Sequence, residues 1–545
     1  MKQAIAPAAS RRCVLRAAAA APFAALLPWD LASAQSASGT LRVGMTLAAV
    51  PLSNGCPDHG GEGQRFMGIT LYNALCEWDL AHADRPAGVK GGLATTWAPD
   101  PADPKRWWFT LRDGVRFHDG KAFAAEDVVF SFDRAFRRDA PWFDSRANAQ
   151  VSLRVPNIVA WGAEGERRFW METSYPDSTV PFGVMYVGIT HKGAWEAAGR
   201  SWDAYLNRAV GTGPWKLEQW SIRERAVLAR NPDHWDPARV PRCERLVLLP
   251  LPDANTRVAA LRSGQVDWIE APPSDALASL RGSGLRVVTN SYPHNWTWHL
   301  SMLEGSPWRD VRVRKAANLA LDRAGMRTML ADTMLEGAGI VTTDSPWYGS
   351  PSFRLSHDPA QARKLLAEAG FGPRNPLRTR VAISASGSGQ MQPLAMNESV
   401  QQNLREVGIG VDFEVVEWNA LLVIRREGAA KAAQRGVTAI NVSYSSADPY
   451  SAFMRLLKSD LTPPQGGNFG GFADPELDAL MDQAYSTPDP ARRDAVLARI
   501  HTLVVDGALF LFVAHDLNPR AMSRRVKDFT QARSWSQDLA PVGLA

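Results

Sequence analysis

Cysteine is scarce, with four in 545 residues. Cys13 precedes an apolar N-terminal run and so does not stand where a lipoprotein carries its lipid. The other three, Cys56, Cys76 and Cys243, are an odd number, so at least one has no partner within the chain. A Cys56–Cys76 bridge would suit an oxidising compartment, but spacing alone leaves it open. Outside the N-terminus no run approaches the ~20 apolar residues of a membrane span. Excess charge is also lacking. The formal charge is +5, and setting aside Lys2, Arg11, Arg12, Arg16 and Asp30 of the N-terminal segment brings it to +2. Such a chain has no charge surplus for a phosphate backbone, which argues against nucleic acid as a partner. No HExxH, CxxC or nucleophile elbow is found, so the usual metalloprotease, dithiol and serine-hydrolase signatures are missing.

What is present begins with an address. Ser10-Arg11-Arg12-Cys13-Val14-Leu15-Arg16 leads into an alanine-rich apolar stretch and then Ala32-Ser33-Ala34, a small-residue cleavage pattern. Residues 1–34 read as an export signal. The paired arginines resemble a twin-arginine signal, with Val14 where Phe is common and Arg16 where Lys is common; the general secretory route is the alternative. The apolar run is too short to anchor the chain in a bilayer.

The stretch Trp107–Phe136, WWFTLRDGVRFHDGKAFAAEDVVFSFDRAF, is the most informative in the chain. Phe109, Leu111, Val115 and Phe117 repeat with the period of a half-buried strand. Asp113-Gly114 and Asp119-Gly120 are tight-turn signals. After Ala125 the period becomes helical: Val128, Val129, Phe132, Ala135 and Phe136 share a face, and Glu126 and Asp127 occupy the dipole-favoured first turn. The pattern predicts strand, turn, strand, turn, helix, and by itself no chemistry.

The same letters, LRDGVRFHDG and AEDVVFSFDR, resemble the signature segment of the family 5 bacterial solute-binding proteins, the large receptors of peptide, nickel and related ABC importers. Ala124 stands where that family usually caps the helix with Thr, a substitution that costs about 1 kcal/mol of capping. Further segments resemble the family in the same order. They are Leu71-Tyr72-Asn73-Ala74-Leu75, Leu93–Trp97, Gly211-Thr212-Gly213-Pro214-Trp215, Arg230–Trp235, Gly264–Asp267, Pro307–Asp322 and Asp358–Phe371.

Read by pattern, Phe66–Leu75 continues as a helix. Thr40–Met45 and Leu246–Pro250 are strands, and Asn255–Gly264 is a helix with Val258, Ala259 and Leu261 inward. Arg380–Ile383, Pro393–Val407 and Gly410–Val416 form a strand–helix–strand unit with the parallel pairing that a right-handed crossover gives. Asp474–Ala484 and Ala491–Val505 are helical, and Leu509–Val513 is a buried strand. Residues 134–200 carry little pattern. Cys56-Pro57-Asp58-His59 with Glu62 holds metal-ligand residue types in a glycine-rich loop, at a spacing that matches no closed zinc site.

The resemblance implies an α/β, two-lobed periplasmic-binding-protein fold of type II, the large peptide-binding class, with an extra subdomain in lobe one. Lobe one is expected over 36–285 with its subdomain near 67–207, lobe two over 286–514, and the return to lobe one over 515–545. It implies no catalysis and no cofactor. A single copy captures a small solute between the lobes and passes it to a membrane permease and its ATPase in the periplasm. A nickel, haem or metal-chelate carrier is the alternative within the family, with His59, His294 or His299 as donors. A sensory adaptor, or a hydrolase using Ser388, is the alternative outside that role.

Positions matching the family's cleft are Tyr292, His294, Asn295, Trp296 and Trp298, then Trp418 and Asn419, then Tyr444, Ser445, Ser446 and Asp448, and lastly Asn468 and Phe469. Thr46–Pro51 are softer candidates. Peptide-binding relatives hold the peptide ammonium with an Asp four residues before a Pro; Ser445 occupies that place here. An enclosed ammonium lacking its counter-charge forfeits on the order of 3–5 kcal/mol, or ~10²–10³-fold in affinity. The expected cavity is aromatic and polar with few charges. It would suit a small amide, a modified amino acid, a glycoside or a metal chelate rather than oligopeptides in general.

Overall fold

Strand Thr40–Met45 sets the first of two central sheets. Its Leu41, Val43 and Met45 are fully buried, each gaining roughly 1.5–3 kcal/mol by leaving water. Arg42 is held through Nε at 2.9 Å from Asp267. The computed structural model describes residues 39–545 apart from Leu153 and Pro156; the export segment lies outside the described residues. Thr40–Met45 pairs in parallel with both Arg245–Pro250 and Trp268–Glu270. The seven-stranded order is Arg286–Val288, Arg520–Met522, Trp268–Glu270, Thr40–Met45, Arg245–Pro250, Arg225–Arg230, Trp215–Ser221.

The second sheet is built around His294–Leu300, all seven residues of which are buried. Flanked by Phe510–Asp516 and Val437–Asn441, it is covered on both faces, so its sequence is not the alternating kind that marks a half-exposed strand. Trp296, Trp298 and Leu300 pack into one core cluster. His299 turns to the other side, against Tyr444 and Phe510. Further out, Leu377–Ser384 and Ile409–Val416 pair in parallel across helix Pro393–Glu406, the unit expected from the pattern. Met396, Val400 and Leu404, spaced four apart, are that helix's buried stripe.

The chain passes between the sheets through 289–293 and 517–519. The passages are tied together: Asn290 N donates to Leu517 O at 3.0 Å, and the Tyr292 hydroxyl donates to Asp516 at 2.8 Å. This is the two-lobed α/β architecture. Because Arg286–Val288 pairs with Arg520–Met522 in the first sheet, the passage begins after residue 288 rather than after 285. Residues 39–545 form one compact unit. Among them no helix is long and apolar enough to cross a membrane.

A four-stranded antiparallel sheet, Ala94–Pro99, Arg106–Leu111, Arg168–Thr173, Ile158–Glu164, has its own core beneath helix Ala125–Phe136. Two expectations change in this region, and the open question of the cysteines is answered. Val115–Phe117 makes no second strand, only a bridge between Arg116 and Ala122, because two Asp-Gly turns leave too little chain between them to pair. The helix near Phe66 is a π-turn, Gln64–Gly68, followed by Ile69–Leu71. It stops at Tyr72 because the Gly211–Gly213 turn presses against it: Gly213 N donates to Leu71 O at 3.0 Å, and a Cβ on Gly213 would lie 2.5 Å from the Leu71 carbonyl carbon. Cys56, Cys76 and Cys243 are all free and buried, so no Cys56–Cys76 disulfide is formed.

Ala124 is extended and offers no side-chain cap, yet Asp127 accepts from Ala124 N at 2.9 Å, half of a capping box. Ala124→Thr should complete it, adding up to about 1 kcal/mol of stability in urea unfolding. Asp127→Ala should cost about as much.

Candidate functional site

Between the two lobes lie two compartments, of about 400 Å³ and about 440 Å³. Trp535, from the returning segment, lines both. Its indole stacks on the His294 ring with centroids 4.6 Å apart, and the Arg65 guanidinium sits 5.1 Å from its centroid. Gly389 completes the partition. It has a positive φ of 67°, and a Cβ there would fall 2.3 Å from His294 and 2.9 Å from Trp535.

Behind this partition runs a buried chain of charges. Arg65 pairs with Glu62 at 2.9 Å and with Glu270 at 2.8 Å, and Arg520 pairs with Glu270 at 2.9 Å. Two cations and two anions balance, as buried charges must. Burial raises the Glu62 carboxyl, opposed by Arg65. Burial also acts on Glu270, but Arg520 and Arg65 outweigh it and hold that carboxyl below its usual range. Glu62 reaches across the cleft to accept from the Ser388 hydroxyl at 3.2 Å. Ser388 thus bonds a carboxylate of the opposite lobe, and Gly387 on its other side packs against Trp418. A second contact between lobes is the turn at Ser178, whose N donates to Tyr485 O at 2.8 Å and whose Oγ donates to Ala484 O at 3.0 Å.

Of the residues expected in the cleft, His294, Trp418, Asn419, Tyr444 and Ser445 line the 400 Å³ compartment. Tyr292 lines the other. Burial, with Arg65 adding to it, holds the His294 imidazole neutral, its pKa down to about 3. The Tyr444 hydroxyl and the Trp418 indole N–H are buried without a protein partner, so both are open to a cargo's polar atoms.

Five expected residues serve the scaffold instead. Asn295 donates to Ile340 O and to Ser446 Oγ, which occupies Ser446 as well. Trp296 lies in the core with its N–H given to Gln390 O at 3.0 Å. Asn468 closes its own turn through Phe472 N and O. Asp448 caps the following helical turn by accepting from Ser451 N at 2.8 Å and borders only a small side pocket. Asn295, Ser446 and Trp296 find their partners in distant segments, which a local pattern does not reveal, whereas Asp448 and Asn468 bond within their own turns. Trp298 and Phe469 are likewise core residues.

Of the softer group, Thr46 lines the 440 Å³ compartment. Among the described residues no group of three or more His, Cys, Asp or Glu is placed to hold a metal. His59 and His294 line the cavity, while His299 faces Val442 O inside the core.

Sequence reasoning missed Arg154, Tyr186, Arg425, Arg426, Arg455 and Trp535, all of which line the 400 Å³ compartment. The wall is therefore strongly cationic, against the expectation of few charges. Only the Arg425-Arg426 doublet, on the inner edge of helix Trp418–Ala433, offered a local signal.

Two lobes with a cavity walled by both give the arrangement of a solute-binding protein. The family of bacterial extracellular solute-binding proteins, family 5, matches residues 88–462, and the chain belongs to that family. It is 28% identical over 492 residues to the probable di/tripeptide-binding protein 5 of Pseudomonas aeruginosa, covering 87% of this chain and 90% of that one. It is 25% identical over 485 residues to heme-binding protein A of Haemophilus influenzae, covering 85% and 84%. A dipeptide-binding protein from Pseudoalteromonas, solved with Met-Leu, superposes with a TM-score of 0.78 at 23% identity over 93% of this chain and all of that one, 100%. That likeness concerns the fold.

Asp58, beside this site, is buried, and burial pushes its carboxyl up to about 7. A folded pKa above the unfolded one favours the folded state most at low pH, and that contribution is lost as pH rises from about 4 to about 7. Asp58→Asn removes the titration. Its melting temperature relative to wild type should therefore climb across that window and level off above it, as read by scanning fluorimetry at stepped pH.

Proposed function

We propose that this chain works in the periplasm as the receptor of an ABC importer. A single copy encloses one small solute between its lobes, leaves it chemically unaltered and presents the closed form to the permease and its ATPase. We take the lobes as 39–288 with 517–545, and 289–516, the joint running through the two tied passages. The carrying observation is the 400 Å³ compartment lined from both lobes. Within its wall we assign ligand contact to His294, Trp418, Asn419, Tyr444 and Ser445.

The solute is not a general oligopeptide in this reading. Relatives are named for dipeptides and for heme, so their names do not choose one. Ser445 stands where peptide receptors of this family keep an ammonium-binding Asp, and Asp448 is engaged in capping.

Mass spectrometry of whatever is released on denaturing protein purified from its native periplasm tests this. One low-mass solute, unchanged after prolonged incubation with the protein, is the expected result. A mixture of oligopeptides, or turnover of the solute, would refute it. Trp535→Ala, which removes the partition, should weaken binding of the recovered solute by about 2 kcal/mol or more in titration calorimetry.

A further inference from the structure

The arginines in the cavity wall have no visible purpose in the protein itself. Among the described residues, no ion pair is made by Arg154, Arg425, Arg426 or Arg455, whereas most other buried or half-buried arginines have a carboxylate or a backbone carbonyl. Arg154, Arg425 and Arg455 are half-buried and Arg426 lies exposed at the rim. The Nε of Arg455 is buried without a partner. Arg154 rests 4.3 Å from the Tyr186 ring centroid, a contact that orients the guanidinium without neutralising it.

The three half-buried cations also press on one another. Burial, then the charges of Arg455 and Arg154, bring the Arg425 pKa down to about 9. Burial, then the charge of Arg154, lower Arg455. Three like charges gathered in a half-closed space are costly unless something arrives to balance them.

Among the described residues the nearby carboxylates make no ion pair with these arginines. Asp448 faces Arg455 but caps Ser451 N at 2.8 Å. Asp177 is held by Asn157 and Thr179, and burial raises its carboxyl, which weakens it as a counter-charge. Glu417 is exposed and caps helix Trp418–Ala433 through Asn419 N and Ala420 N. The Tyr186, Tyr444 and Tyr450 hydroxyls are pushed up by burial and stay neutral. On the far wall His294 is neutral.

We propose that the cargo is a multivalent organic oxyanion, carrying carboxylate or phosphate groups and no free ammonium, whose charges are taken by Arg154, Arg425 and Arg455. This rests on the solute-receptor reading above and specifies its substrate class. Guanidinium is suited to the task, because its planar fork of donors matches carboxylate and phosphate two bonds at a time. Among the described residues no acidic side chain lines this compartment, so a zwitterion would bring one charge the wall can use and one it repels. The rings of Tyr186, Tyr444 and Trp418 would cover the carbon skeleton between the anionic groups.

Calorimetry on the full mature chain, freed of bound solute by unfolding and refolding, tests the assignment with defined probes. N-acetyl-Asp-Glu carries three carboxylates and no ammonium; unblocked Asp-Glu restores the ammonium; glucose 6-phosphate supplies a phosphate; Ala-Ala amide is cationic. At least one of the two oxyanion probes should bind, and the acetylated peptide should bind more than tenfold tighter than its unblocked form. Arg425→Gln and Arg455→Gln should each weaken the oxyanion by roughly 10²-fold and flatten its salt dependence, with melting temperature unchanged or raised. The inference is overturned if the unblocked or the cationic peptide binds best, if neither oxyanion binds, or if the arginine variants bind like wild type. Recovery of a neutral or zwitterionic native solute would overturn it too while leaving the receptor reading intact.

Discussion

Four charges withdrawn from water hold the joint of this molecule together. Glu62 and Arg65 come from the loop and π-turn after the first strand, Glu270 from the first sheet, and Arg520 from the strand that returns the chain to it. Removing any one leaves an unpaired buried charge, a defect of about 3–5 kcal/mol. What hangs on the set is positional. Arg65 backs the Trp535 ring that partitions the cavity, Glu62 receives Ser388 from the opposite lobe, and Trp268 donates to Glu270 at 2.8 Å, fixing the strand beside them. The shape of the cleft is thus a consequence of electrostatic balance at the point where the lobes meet.

The regular parts of the fold were legible because their hydrophobic periods are local. Leu41, Val43 and Met45 spell a strand, and Met396, Val400 and Leu404 spell a helix face, whatever surrounds them. The irregular parts were not. The π-turn at Gln64–Gly68 and the break at Tyr72 are imposed by the Gly211–Gly213 turn, some 140 residues away, and no window of neighbouring residues carries that information. At Val115–Phe117 the alternation was present, but two Asp-Gly turns took the pairing partners away.

The site divided along the same line. His294 opens a buried strand, Trp418, Tyr444 and Ser445 come just after strands, and all four could be located by matching segments to the family. Arg154 comes from the stretch with little pattern, Trp535 from the tail, and Arg425 from a helix that reads as an ordinary charged surface. Each acquires its meaning only when three separate regions converge on one volume. Conversely Asn295, Ser446 and Asn468 looked like binding groups because an amide or hydroxyl in a cleft segment usually is one; here they satisfy backbone carbonyls and each other.

The bonds from Ser178 to the carbonyls of Ala484 and Tyr485 fall on the last turn of helix Pro475–Ser486, where carbonyls run short of helical donors, although Ala484 O also accepts from Thr487 N at 3.3 Å. Water satisfies such groups nearly as well, so exchanging water for Ser178 is worth only about 1 kcal/mol per bond. The hydrogen-bonded part of the clasp between subdomain and lobe two is therefore shallow, and Tyr175 packed on Tyr485, with ring centroids 5.1 Å apart, adds an apolar contact beside it. It can register that the jaws have met without itself keeping them shut, which leaves the residence time of whatever is inside to be set by the grip on that molecule.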